Sequence, residues 1–133
     1  MEKKARLGFV GLGTMGCDLL REACRNPEIE VAALCDIDPR ALEKATGICA
    51  GSPASYDDYH DLIAHEKPDG MVVAVPQHLH AAISIESLEA GVHVFCEKPM
   101  GLNVGECRAM IAAAGRSGKA LMIGQVLRYI GVY

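Results

Sequence analysis

The stretch Arg6-Leu7-Gly8-Phe9-Val10-Gly11-Leu12-Gly13-Thr14-Met15-Gly16 constrains this chain more than any other. An apolar run passes into glycines spaced G-x-G-x-x-G, and a segment with Leu19, Leu20 and Ala23 on one helical face follows. The order is strand, tight turn, helix. Gly11 permits the turn, Gly13 lets the backbone come close to a pyrophosphate, and Gly16 lets the helix pack against the strand. The helix begins at Thr14 and Met15, so its first N–H groups and positive dipole end face that pyrophosphate.

Three close glycines among fourteen carry little weight alone. The context gives them meaning, because the next strand closes on a carboxylate, Asp36, about 20 residues after the glycines, where such sites need one for the adenosine ribose hydroxyls. In Asp36-Ile37-Asp38-Pro39-Arg40 the two acids divide by position. Asp36 at the strand tip faces the ribose, with Ile37 beside it, while Asp38 before Pro39 reads as a helix N-cap. A carboxylate at Asp36 would repel a 2′-phosphate, which favours NAD; Arg40, close by, keeps NADP open.

The remaining pattern is an alternation of apolar strands and helices. Strands are expected at 5–10, 29–35, at the end of the loop 50–56, at 71–75, 92–95 and 120–123. Helices are expected at 14–25, from Pro39 to about Gly47, at 59–66, at 81–90 with Gly91 closing it, and from the Asn103 cap to about Arg116. Asn103 with Glu106 resembles a capping box. Strands apolar on both faces belong in a parallel sheet covered by helices on each side. The expected fold class is therefore α/β, a single Rossmann doubly wound parallel sheet of order 3-2-1-4-5-6.

Composition narrows the partners. With 133 residues the chain makes one domain of ordinary size. A net charge of −4 without basic runs argues against a nucleic-acid surface. No apolar run reaches the length of a membrane span, and the charged start, leading straight into a short strand, does not resemble a signal peptide. Six cysteines without a C-x-x-C pair are expected as reduced, mostly buried thiols, with a cytoplasmic location.

Strands four and five deliver polar groups to the edge where doubly wound sheets bind ligands. The fourth leads into Val75-Pro76-Gln77-His78-Leu79-His80 and the fifth into Cys96-Glu97-Lys98-Pro99. The i, i+2 histidines have no third ligand beside them, so no metal is expected; one is expected to line the crevice and the other to lie on the surface. Lys98 stands directly beyond a buried strand. Its ammonium there could hydrogen-bond a substrate hydroxyl and stabilise negative charge on that oxygen as a hydride leaves carbon, with Glu97 orienting it.

Together the glycine motif, Asp36, Val75-Pro76-Gln77-His78-Leu79-His80 and Glu97-Lys98-Pro99 resemble the Gfo/Idh/MocA oxidoreductases across nearly the whole chain. The resemblance implies NAD(P)-dependent oxidation or reduction of a sugar, polyol or similar hydroxylated substrate. It implies that Lys98 touches the reacting hydroxyl, that Pro76 and Gln77 lie by the nicotinamide, and that His80 lies at the active-site edge; Lys98 and His80 are the catalytic candidates. Val75 and Gln77 replace the usual Thr and Asn. Family members carry a second domain supplying most of the substrate pocket and a catalytic histidine, and residues 125–133 resemble the crossing into it, after a cofactor domain at 1–124. The apolar run 126–133 also leads to an expected homo-oligomer. A non-catalytic NAD-binding or dimerisation module is the alternative. A short-chain reductase is disfavoured, as no Tyr-x-x-x-Lys pair is present.

Overall fold

The glycine turn is followed by five further repetitions of strand and connection in a computed structural model that describes residues 2–131. The elements are β1 (Ala5–Val10), α1 (Thr14–Arg25), β2 (Ile29–Cys35), α2 (Pro39–Thr46), β3 (Ala54–Tyr56), α3 (Tyr59–Glu66), β4 (Gly70–Val73), α4 (His80–Glu89), β5 (His93–Glu97), α5 (Val104–Ser117) and β6 (Leu121–Gly124). All neighbouring strands pair in parallel, in the order β3-β2-β1-β4-β5-β6. The expected doubly wound order is the observed one.

Two cores sit on the two faces of this sheet. On one, Phe9, Leu34 and Val72 meet Leu20 and Ala23 of α1 and Ala45 of α2. On the other, Val10, Met71, Val73 and Val94 meet Leu62 of α3, Ile83 and Leu88 of α4, and Met110 and Ala113 of α5. The division follows from the chain reversing direction across the sheet after β3. Because β1 and β4 adjoin, their carboxyl ends diverge into connections on opposite faces and leave a crevice between them.

Most helix starts are sealed locally. Asp38 accepts from the Arg40 N–H with Pro39 at the first helical position, Asp58 accepts from the His60 N–H, and Asn103 accepts from the Glu106 N–H. The capping box of α5 is displaced by one residue, since the Glu106 carboxylate takes the Leu102 N–H at 2.7 Å.

Boundaries shift where tertiary pairing decides them. β4 ends at Val73, not 75, and a single 3-10 turn at Gln77–Leu79 precedes α4. β5 runs to Glu97, two residues beyond the apolar run, because β6 continues beside it and Glu97 pairs with Gly124. A Cβ on Gly124 would lie 3.0 Å from Glu97 Oε1 and from the Phe95 ring. After β6, Val126–Tyr129 forms one exposed 3-10 turn; residues 132 and 133 of the expected crossing segment lie outside the described residues.

The amino-terminal edge is closed by charges. Arg6 donates to the Glu66 carbonyl at 2.6 Å, capping the end of α3, and reaches the Glu66 and Glu30 carboxylates at 3.4 Å each. Asp69 accepts the Arg6 backbone N–H at 2.9 Å.

Candidate functional site

The crevice begins at Gly11. Its φ of +89° lies in the left-handed region, and a Cβ there would sit 2.4 Å from the Ala74 carbonyl oxygen where β4 ends. Gly16 is the tightest position of the motif, since a Cβ would stand 2.0 Å from the Gly11 carbonyl oxygen. At Gly13, by contrast, a Cβ would meet nothing within 4 Å. The turn and the close helix are thus built into the fold, and the middle glycine faces open space.

The helix that follows lacks what α2, α3 and α5 possess. No side chain caps α1, and its N-cap is Gly13 itself; like α2, it also has no acid in its first turn. The first intrahelical bond runs from the Cys17 N–H to the Gly13 carbonyl at 2.9 Å, leaving the N–H groups of Thr14, Met15 and Gly16 at the uncapped end. Thr14 and Met15 are exposed. This is the geometry that receives an anion.

Asp36 stands where the sequence puts it, with a further task. Its Oδ2 accepts the Leu12 N–H at 2.8 Å and its Oδ1 the Asp38 N–H at 2.9 Å. The carboxylate therefore ties the glycine turn to the β2–α2 loop, and each oxygen keeps a lone pair for a further donor. Ile37 beside it is 89% exposed, an apolar surface at the mouth of the crevice. Arg40 is turned toward Asp38, with Nε 3.5 Å from its Oδ1.

On the other side of the crevice, Met15, Ala74, Val75, Pro76, Gln77, His80, Glu97 and Lys98 line a cavity of about 180 Å³. Residues from three separate motifs meet there. Ala74 was not singled out in the sequence, where it lies inside the expected strand 71–75; it lines the cavity because β4 ends at Val73. Lys98 is exposed, and among the described residues its ammonium enters no ion pair. Glu97, 7% exposed, accepts the Lys98 backbone N–H at 3.1 Å. It thus orients Lys98 through the main chain, where the sequence suggested a contact with the ammonium. The Lys98–Pro99 peptide bond is cis.

His80 has to be recast from a catalytic candidate to a clamp. The ring is 1% exposed, with Nδ1 2.7 Å from the Pro99 carbonyl oxygen and Nε2 2.9 Å from that of Val75. Both nitrogens are committed to backbone oxygens, so neither is placed to exchange a proton with a ligand. What the ring does is join the loop after β4 to the loop after β5. His78 is exposed and outside the cavity. No group of three or more metal-ligating side chains occurs among the described residues, and no helix there is long and apolar enough to cross a membrane.

A larger recess of about 530 Å³ lies at the opposite edge, between Ile63, Lys67, Asp69, Gly91, His93 and Lys119. It is flanked by the carboxyl ends of α3 and α4, whose dipoles repel anions. Lys67, His93 and Lys119 give it donors, but among the described residues no helix start opens into it.

A family model described as an oxidoreductase family with an NAD-binding Rossmann fold matches residues 5–125. The chain belongs to the Gfo/Idh/MocA oxidoreductase family. Within it, inositol 2-dehydrogenase of Salmonella typhimurium is 33% identical over 126 residues, covering 93% of this chain and 38% of the relative. A glycosyl hydrolase family 109 protein of Shewanella pealeana is 30% identical over 132 residues, covering 93% and 29%. The crystal structure of the WlbA dehydrogenase from Chromobacterium violaceum, in complex with NADH and UDP-GlcNAcA, superposes with a TM-score of 0.85 at 30% identity, covering 92% and 35%. The chain thus spans about a third of the length of these Gfo/Idh/MocA proteins, and the open end of α1, Gly13 and Asp36 fit the dinucleotide that the family binds.

Proposed function

We propose that this chain is the coenzyme-binding part of an NAD(P)-dependent oxidoreductase acting on CH–OH groups of a sugar, polyol or similar hydroxylated compound. One observation carries the reading: around a single crevice stand an uncapped helix start, a carboxylate with lone pairs to spare and a lysine that has no acidic partner among the described residues. Bound NAD would supply the hydride acceptor or donor. The chain's own groups then divide the work. N–H groups of Thr14, Met15 and Gly16 would hold the diphosphate, Asp36 the ribose hydroxyls, and Ile37 a flank of the adenine.

Val75, Pro76 and Gln77 would border the nicotinamide, and Lys98 would donate a hydrogen bond to the reacting oxygen, stabilising charge on it as carbon changes oxidation state. His80 and Glu97 act through Lys98, one by fixing the Pro99 carbonyl and the other by fixing the Lys98 N–H. A carboxylate at Asp36 supports NAD over NADP, and Arg40, held against Asp38, is not directed at a 2′-phosphate.

Titration of the folded chain with NADH and NADPH tests this reading. Saturable NADH binding, tighter than NADPH and weakened about tenfold or more in Asp36→Ala, is expected; binding that ignores Asp36 would refute it. The second reading, a dimerisation module, draws on exposed Val126, Leu127 and Tyr129, which are 56%, 55% and 71% accessible. Homo-oligomerisation and a cytoplasmic location belong to this proposal, and sedimentation of the chain distinguishes monomer from oligomer.

A further inference from the structure

Of the six cysteines, Cys17, Cys35 and Cys96 are buried and Cys107 is half-buried. Cys35 and Cys96, 3% and 0% exposed, are shut off from any small-molecule disulfide, and burial pushes their thiols up to about 12 and about 11. The other two are different. Cys24, in the last turn of α1, and Cys49, just past the end of α2, are 25 positions apart yet bring their sulfurs to 3.7 Å. Cys24 is exposed and Cys49 half-buried. Both lie at the amino-terminal edge of the same face, away from the crevice.

We propose that Cys24 and Cys49 form a thiol–disulfide exchange site that a small-molecule disulfide of the oxidised-glutathione class converts into an intramolecular bridge. The sulfurs must approach by about 1.7 Å to reach the S–S bond length of about 2.05 Å. The backbone there can supply that movement. Cys49 sits in a turn closed by the Ile48 N–H to Ala45 and its own N–H to Thr46, at 3.0 and 3.2 Å, and the residues that follow are exposed. A Cβ on Gly51 would meet nothing within 4 Å, so this loop has room to shift.

The chemistry has an order. Exposed Cys24 loses its proton to solvent and its thiolate attacks one sulfur of the small disulfide, forming a mixed disulfide and expelling one small thiolate, which takes up a proton. Cys49, whose thiol burial and the hydrogen bond with Cys24 push up to about 12, is the resolving group. Capping Cys24 removes that neighbour. The Cys49 sulfur, its proton passed to solvent, then attacks Cys24 Sγ and expels the second small thiolate. Two protein thiols are oxidised by two electrons, one small disulfide is reduced to two thiols, and the protons end on those thiols.

The bridge would enclose β2, Asp36 and α2 in one covalent loop, tied at the end remote from the ligand crevice. It should therefore raise the melting temperature by roughly 5–10 °C and leave NADH affinity within about twofold.

The test incubates the reduced, folded chain with oxidised glutathione at neutral pH without denaturant, blocks residual thiols, and maps tryptic peptides by mass spectrometry under non-reducing conditions. The expected result is a loss of about 2 Da, with the peptide 22–25 linked to the peptide that begins at residue 45, reversed by dithiothreitol. Cys49→Ser should trap the glutathione adduct on Cys24, and Cys24→Ser should prevent bridging. A stable glutathione adduct on Cys24 in the unsubstituted chain, bridging between two copies, or pairing only in denaturant would each overturn the proposal.

Discussion

The two edges of the sheet are built from the same elements and end in opposite states. At the amino-terminal edge the charges around Arg6 are matched to one another: Arg6 caps α3, Glu66 and Glu30 face Arg6, and Asp69 takes its N–H. At the carboxyl edge the start of α1 has no side-chain cap, Gly13 faces open space and, among the described residues, Lys98 has no carboxylate on its ammonium. The larger recess is at the satisfied edge and the smaller cavity at the unsatisfied one. An uncapped helix start aimed at the cavity, more than volume, separates a candidate ligand site from a dent in the surface.

Substitution of glycines separates the fold from the site most sharply. Gly16→Val should cost about 3 kcal/mol or more, because branched carbons cannot share space with the Gly11 carbonyl; chemical denaturation measures it, and NADH binding should be lost with the packing. Gly13→Ala is the counterpart. Its φ is −72° and its Cβ would be unopposed, so stability should hold within about 0.5 kcal/mol while the new methyl weakens NADH binding about tenfold or more. A Gly13→Ala chain that binds NADH normally would break the comparison.

At the opposite edge, Arg6→Ala should cost about 1–2 kcal/mol through loss of the α3 cap and the half-buried guanidinium's packing, with NADH affinity unchanged. The smallest effect concerns His60, whose ring spans Asp58 and Glu86 at 2.7 and 2.6 Å and so links α3 to α4. The hydrogen bond to Asp58 does most to hold His60 above its ordinary value; burial, next in size, opposes it, and the hydrogen bond to Glu86 adds to the rise. A raised folded-state value stabilises fully below about pH 6.5, the unfolded value, and the gain is lost as pH rises through the folded one. The advantage in melting temperature of the unsubstituted chain over His60→Gln should therefore be about 1–3 °C at pH 6 and shrink as pH rises above about 6.5, the pair being solvent-exposed.

What could be read from the sequence was what short-range chemistry decides. Gly11, Gly13 and Gly16 lie within one turn between a strand and a helix, and Asp38 caps through its own loop, so spacing together with the flanking pattern marks them. Asp36 was legible because it ends an apolar strand. Its bond to Leu12 was not, because that joins positions brought together only by β1–β2 pairing. The same holds for His80, whose role depends on a carbonyl 19 residues away, and for Glu97, a charged residue drawn into β5 by its partner strand. Cys24 and Cys49 share no motif at all; two helix ends on one face make them neighbours. Local signals mark the candidate ligand contacts, and non-local packing sets the parts that hold them in place.

The bare start of α1 has a thermodynamic corollary. Donors left unmatched in the free domain are matched when coenzyme arrives, so occupancy and resistance to unfolding rise together, by about 2.7 kcal/mol at a hundredfold excess over the dissociation constant. The domain's half-life against heat or proteases then becomes a gauge of the dinucleotide pool around it.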